Sequence, residues 1–259
     1  MKLLLKSLFT GLLLLSGTPG LFGQSAAEIS SKSREVVDLG TMQMDFTIYI
    51  RDSRGSERVR QLTMISRIFN DVNKTLVRFT APSDVQGTTL LIFDNKDTED
   101  DMWIYMPALK KVRRIISSER GKSFMGTEFT NADMSKPNQA DFNYSLLGTA
   151  DHEGKACWKV QSEGKDQTIN KANGFSRTIS YIDKANYLCY KVEYYDLSGN
   201  LQRILTSHDY KNVTANKYFS YRTVMENVQN KRVSEMVINK IDTGTKFQED
   251  IFSPNALQQ

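Results

Sequence analysis

From residue 42 onward the chain repeatedly alternates apolar and polar side chains, and this period of two leaves little but antiparallel β-structure open to it. Met42, Met44, Phe46, Ile48 and Ile50 project one way, and Gln43, Asp45 and Thr47 the other, as in a half-buried strand. Asp52-Ser53-Arg54-Gly55 is turn chemistry, and a second strand follows through Leu62, Met64 and Ile68. Asn70-Asp71-Val72-Asn73 turns again, 75–79 returns, 82–87 breaks the chain, and 88–93 is a strand apolar on both faces. Further strands are predicted at 156–161, 175–183, 187–196, 201–211, 218–228 and 232–242, with polar turns between them. Roughly a dozen strands without βαβ alternation predict a mainly β (α+β) chain organised as a large antiparallel sheet or barrel. A sheet of that size curls or splits. With few helices to fill its concave side, a cavity is expected there.

Ser25-Ala26-Ala27-Glu28 has the form of a capping box. Ile29, Val36, Val37 and Leu39 fall roughly on one stripe, and Gly40 suits a C-terminal stop, so one amphipathic helix of about four turns is expected before the first strand. Ahead of it, residues 1–23 read as a secretory signal. Lys2 and Lys6 are the positive segment, 8–15 the apolar core, and 18–23 a small-residue and proline zone with cleavage after Gly20 or Gly23. The apolar core is short for a bilayer span; an uncleaved anchor is the alternative. No cysteine lies near that point, so no lipobox is expected. Residues 24–259 are then expected as a single exported, soluble domain, touching membranes only peripherally. The net charge is +4, of which Lys2 and Lys6 supply two. So mild a balance argues against nucleic acid as a partner.

Export to an oxidising compartment raises the question of a disulfide between Cys157 and Cys189. Alternation puts both on the polar face, opposite Trp158 and Val160 and opposite Tyr190, Val192 and Tyr194. In a meander the strand at 175–183 lies between theirs. Strands two apart are about 9.5 Å from each other, beyond disulfide reach, so two free thiols are expected.

Residues 102–134 form the densest run of special residues. Trp103 and Tyr105 share one face of a strand, Ile104 and Met106 the other; Pro107-Ala108 turns the chain, and Lys111, Arg113 and Ile115 alternate with Lys110, Val112 and Arg114. A polar stretch 117–122 leads to an apolar tip, Phe124-Met125-Gly126, and Thr130-Asn131-Ala132-Asp133 is a second capping box in form. This is the pattern of a lid over the concave face, or of an ordinary surface loop.

These residues also carry a family resemblance. Trp103-Ile104-Tyr105-Met106-Pro107, Val112-Arg113-Arg114-Ile115, the segment Ser123-Phe124-Met125-Gly126-Thr127-Glu128-Phe129, Asp133-Met134 and Phe142-Asn143-Tyr144-Ser145-Leu146-Leu147-Gly148 resemble the outer-membrane lipoprotein-sorting protein family, LolA-like and LolB-like periplasmic carriers. Tyr181-Ile182-Asp183-Lys184, Tyr187-Leu188 and Lys191-Val192-Glu193-Tyr194-Tyr195-Asp196 continue it over nearly the whole chain. Three departures stand out. Glu128 replaces a usual Asp, Asn131-Ala132 a Tyr-Glu pair, and Cys189 a frequent Pro. The resemblance implies a half-open β-barrel with short lid helices, an apolar cavity for the acyl chains of a lipoprotein or lipid, and no cofactor. It also implies an inner-membrane transporter of the RND/MMPL type and an outer-membrane acceptor as partners.

On that reading Trp103, Tyr105, Phe124, Met125, Phe129, Met44 and Phe46 line the cavity and lid; plain core packing is the alternative. The methionines Met42, Met44, Met64 and Met125 suit either role. Arg113 and Arg114 hold a head group or lock the lid, or else face solvent beside Glu119 and Asp133. No catalytic residue or metal ligand is assigned. His152 falls in a turn and His208 on a strand, without nucleophile or metal spacing around them, which argues against an enzyme. A docking subunit of an exporter, with a filled core and no cargo, is the other rival.

Overall fold

The computed structural model describes residues 24–95 and 98–258; the expected signal segment lies outside them. The first element is α1 (Ala26–Glu35), and its capping box is formed, with Ser25 Oγ accepting from Glu28 N and Glu28 Oε2 accepting from Ser25 N. It is shorter than the sequence reading. Val36 is already the C-cap, so Val36, Val37 and Leu39 lie beyond the helix.

Thirteen strands follow and form one sheet. The first six are β1 (Met42–Arg51), β2 (Glu57–Phe69), β3 (Val72–Ala81), β4 (Thr89–Asp94), β5 (Asp101–Met106) and β6 (Lys111–Arg114). The other seven are β7 (Phe142–His152), β8 (Lys155–Gly164), β9 (Arg177–Asp183), β10 (Cys189–Tyr195), β11 (Leu201–Thr214), β12 (Lys217–Asn227) and β13 (Arg232–Asp242). Two short helices interrupt them, α2 (Ser117–Arg120) and α3 (Gln167–Asn173). All neighbouring pairs are antiparallel, in the order β6-β5-β4-β3-β2-β1-β13-β12-β11-β10-β9-β8-β7. The architecture is a curled, mainly β open sheet with few short helices, as expected.

The order has a consequence for the chain. One meander runs outward from β1 to the edge strand β6, another returns from the edge strand β7 to β13, and the first and last strands pair in the middle. The two edges are therefore consecutive in sequence, and residues 115–141 join them.

Two strand-scale features escaped the alternation pattern. In β7 the register shifts between Leu146 and Gly148, and Gly148 has φ of 113°; the bulge breaks the period of two. In β10 a shift between Cys189 and Lys191 places Cys189 opposite Ile182, beside Trp158 on the α1 side, while Cys157 faces the other way opposite Asp183. The expectation that both cysteines share the polar face is thus corrected. Strand β9 does separate them, and both are free thiols.

The inner face carries the main core. Met44, Phe46, Ile48 and Ile50 of β1 pack with Leu62, Val77, Phe79, Leu90, Ile92, Met102 and Ile104. On the same side Ile29 of α1 covers Val160 and Ile182. The outer face of β3 to β5 has its own core, in which Phe252 and Leu257 of the C-terminal segment lie on Leu76 and Leu91, with Trp103 and Tyr105 against them. Phe252 is fully buried, with its ring 5.6 Å from that of Phe69. Arg67 Nη1 donates to the Phe247 carbonyl at 2.6 Å and Lys74 pairs with Glu249 at 2.7 Å, so the segment is pinned as well as packed.

Phe252→Ala is expected to lower unfolding free energy by about 3–5 kcal/mol, the usual cost of deleting a buried phenyl, read from urea midpoints. Burial pushes the Cys189 thiol up to about 12 and also raises that of Cys157. Native protein should therefore resist alkylation at mildly basic pH, while the denatured, unreduced chain yields both thiols.

Candidate functional site: a strap across the concave face

Residues 115–141 cross the concave side from β6 to β7. Ile115 is buried and its N–H donates to the Met102 carbonyl at 2.8 Å. After α2 the strap passes α3 so closely that a Cβ on Gly121 would lie 2.7 Å from the Gly174 Cα. That approach explains a glycine at 121. Residues 123–130 then form a tight hairpin, with Ser123 bridged to Thr130 and Phe124 N donating to the Phe129 carbonyl at 2.8 Å. The tip, Met125 and Gly126, has positive φ at both residues (49° and 79°).

The hairpin aims Phe124 into the core. Its ring is fully buried and lies 5.6 Å from that of Phe79, among the side chains that pack on Met44 and Phe46. Met125 and Met134 pack against the same cluster. Phe129, 3% exposed, sits on the return limb. The predicted second capping box is formed: Thr130 N donates to Asp133 Oδ2 at 2.7 Å and Asp133 N to Thr130 Oγ1 at 3.2 Å.

A polar latch holds the hairpin to the far half of the sheet. Arg203 of β11 donates through Nη1 to the Glu128 carbonyl at 3.0 Å and to Asp133 Oδ2 at 2.6 Å. Asn227 of β12 donates to Glu128 Oε2 at 3.0 Å, and Ser234 Oγ of β13 accepts from Glu128 N at 2.9 Å. Arg232 Nη2 donates to the Gly126 carbonyl at 2.9 Å, and its Nε lies 2.9 Å from Glu128 Oε1. The Arg203 and Asp133 side chains are 5% and 11% exposed, so the pair is desolvated.

Further along, Lys136 N donates to Asp94 Oδ1, which anchors the strap to the end of β4. Asp94 also accepts from Asn73 at 2.6 Å, in a network with Ser66 and Thr75. Burial pushes the Asp94 carboxyl up to about 6; the Asn73 hydrogen bond opposes the shift and nearby Asp100 adds to it. Arg120 of α2 pairs with Asp100 at 2.7 Å, and Arg34 of α1 donates to the Pro137 carbonyl.

The structure divides the predicted site. Met44, Phe46, Phe124 and Met125 meet on the concave face, with Phe129 behind them. Trp103 and Tyr105 point to the outer face, under the C-terminal segment. The cause is parity: Ile104 and Met102 take the inward positions of β5, and Trp103 pairs across to Leu91 on the outside. Arg113 pairs with Glu119 of α2 at 2.6 Å and so touches the strap's base, whereas Arg114 pairs with Asp101. Asp133 belongs to Arg203, not to Arg113 or Arg114. The latch residues Arg203, Asn227, Arg232 and Ser234 were missed. Their signal was available: Arg203 and Ser234 occupy inward positions of their strands, in register with apolar neighbours Leu205 and Met236.

The strap covers the concave face, where Phe124 and Met125 pack into the inner cluster. Two hollows are small and polar. One of about 60 Å³ is lined by Gln43, Asp45, Lys240 and Asp242 with Met44; one of about 180 Å³ lies by Asp100, Arg120 and Asp141. Pockets for drug-sized ligands run to about 300–1,000 Å³. Among the described residues no group of three or more His, Cys, Asp or Glu is placed to hold a metal ion. His152 leans on Tyr181 and His208 shares a hydrogen bond with Thr206.

Comparison with known proteins now bears on this arrangement. A family model described as "-like: Uncharacterized protein" matches residues 71–259. The chain belongs to that family. Its fold is that of the LolA-like lipoprotein-sorting proteins. A solved outer membrane lipoprotein-sorting protein domain from Vibrio parahaemolyticus superposes with TM-score 0.83 at 26% identity, over 90% of this chain and 98% of that one. A DUF1329 family protein from Desulfovibrio piger gives TM-score 0.83 at 21% identity, over 90% and 97%. A LolA superfamily protein from Nitrosomonas europaea gives 0.73 at 18%, over 90% and 100%. No curated protein matches in sequence.

Two outcomes are expected of the polar contacts that hold the strap. Arg203→Met should cost about 3–5 kcal/mol, since it strands a buried carboxylate, measured by denaturant unfolding. The folded Asp94 carboxyl, at about 6, sits above its ordinary 3.8. The native state therefore holds its proton longer, and stability falls as pH rises from about 4 to about 6. Asp94→Asn should remove that fall; an unchanged slope in pH-resolved urea titrations would contradict the assignment.

Proposed function

We propose that the protein is a non-enzymatic periplasmic carrier. Residues 1–23 are the export signal and 24–259 the carrier domain. It takes the acyl chains of a lipoprotein or lipid onto its concave face and moves them toward an outer-membrane acceptor. An inner-membrane RND/MMPL-type transporter is the proposed donor. The observation that carries this reading is Phe124: a side chain of the strap, not of the sheet, fills the centre of the concave core. The similarity to an outer membrane lipoprotein-sorting domain supports it.

Removal of the strap would uncover Met44, Phe46, Phe79 and their neighbours together. Acyl chains would replace Phe124, Met125 and Phe129 as the cover. Burying a methylene is worth about 0.8 kcal/mol, so two chains with on the order of thirty methylenes keep more than about 20 kcal/mol out of water. Transfer from bilayer to such a face is close to neutral, and the strap and its partners set the direction. Arg113 acts at the strap's base through Glu119. Trp103, Tyr105 and Arg114 support the outer face.

The filled concave face also fits the second reading, a docking subunit of an exporter without cargo. A detergent-free periplasmic preparation separates the two. Under the carrier reading, mass spectrometry finds a stoichiometric lipid or acylated protein; an empty protein that also refuses added lipid supports docking. Glu128→Cys with Ser234→Cys, residues already joined by a 2.9 Å hydrogen bond, should lock the strap when oxidised. Lipid uptake should then fall at least about tenfold and return on reduction.

A further inference from the structure

The strap is held by polar as well as apolar contacts, and arginines are prominent among the polar ones. Arg58 and Arg60 stand two residues apart on β2 and face the concave side, paired across to Ile50 and Ile48. Arg203 and Arg232 reach the same strap from the opposite half of the sheet. Arg203 pairs with Asp133 and Arg232 lies beside Glu128, both carboxylates of the strap, while Arg60 has Asp84 beside it at 3.1 Å.

Not all of their donors are satisfied. Arg58 is exposed, and no hydrogen bond or ion pair engages it among the described residues. Its Nη2 is 3.8 Å from where a Cβ on Gly126 would stand. The Arg60 side chain is 9% exposed, yet its Nε is buried without a hydrogen-bond acceptor. Arg232 Nε is close to Glu128 Oε1 but is not aligned to donate, and it too is buried without an acceptor. A buried donor left unbonded costs about 1–3 kcal/mol, so the rim is incomplete for the strap alone.

We propose that this rim is the head-group site for a phosphate-bearing lipid, and that the closed strap occupies it with its own Glu128 carboxylate. Guanidinium forks match phosphate oxygens, and a phosphodiester offers more acceptors than one carboxylate. Phe124 and Glu128 lie four residues apart on one hairpin, one in the apolar core and one at the charged rim. The strap thus imitates an amphiphile, and cargo displaces both ends together. The inference rests on the carrier reading and adds the class of cargo.

The test uses protein purified without detergent and measures calorimetric Kd for short-chain phosphatidylglycerol and for diacylglycerol with the same chains, both below micelle formation. Phosphatidylglycerol is expected to bind about tenfold tighter, the worth of roughly one charge-assisted hydrogen bond. Arg58→Gln should collapse that ratio to about one. Arg58 is exposed, so the fold should survive, with an unchanged Tm as the check. Equal affinities in the unmodified protein would overturn the head-group site and leave the carrier reading standing; failure of both lipids to bind would overturn both. Inorganic phosphate binding as tightly as phosphatidylglycerol would assign the rim to a soluble anion and overturn the lipid proposal.

Discussion

Both edges of the sheet are consecutive in the chain, and the rest of the architecture follows from this. An antiparallel sheet can leave one face to water, but a curled one with an apolar inner face needs a cover on that side. Here α1 covers the β7–β9 end, and residues 115–141, which link β6 to β7, lie across the rest. The strap is therefore built into the connection between the two edges, and its side chains complete the core of the concave face.

On the proposed carrier reading the strap must close firmly and still be exchangeable. Burying a Phe side chain contributes about 1.5–3 kcal/mol, which a bound acyl chain can match. The Arg203–Asp133 pair adds less than its short distance implies, since desolvating both charges offsets much of their attraction. Most of its effect is on geometry, fixing the hairpin in one register. The outer face shows the contrast. Phe252, Phe247 and Leu257 lie on Leu76 and Leu91 as permanent core, and the segment's two polar pins, from Arg67 and Lys74, sit at its margin.

Much of this was legible in the residues. Alternation from Met42 to Ile50 identified a half-buried strand and the residues that share its apolar side, and all of those residues proved buried or half-buried. Turn chemistry at Asp52 and at Asn70-Asp71 placed the hairpins, and the capping boxes at Ser25 and Thr130 both formed. What failed was whatever depends on parity across a bulge or on distant pairing. The bulge at Tyr190 turned Cys189 to the other face, and the one near Leu147 hid a whole strand. Trp103 and Tyr105 look like pocket residues by type, but only the register with β4 shows that they face outward. The latch joins residues 126–133 to 203–234, a pairing that no local pattern encodes.

The polar latch also limits what can replace the strap. A purely apolar ligand could match Phe124 against Phe79 but would leave the arginines around Glu128 without their carboxylate. Removing one partner of a buried charge pair costs about 3–5 kcal/mol, more than a second buried side chain returns. A ligand that opens the strap must bind the open form better than the strap's own residues do, and only that difference shifts the equilibrium. On the proposed carrier reading, acyl chains would answer the apolar part of the contact and oxygen at the rim the polar part, so the arginines that hold Glu128 and Asp133 would also discriminate among ligands.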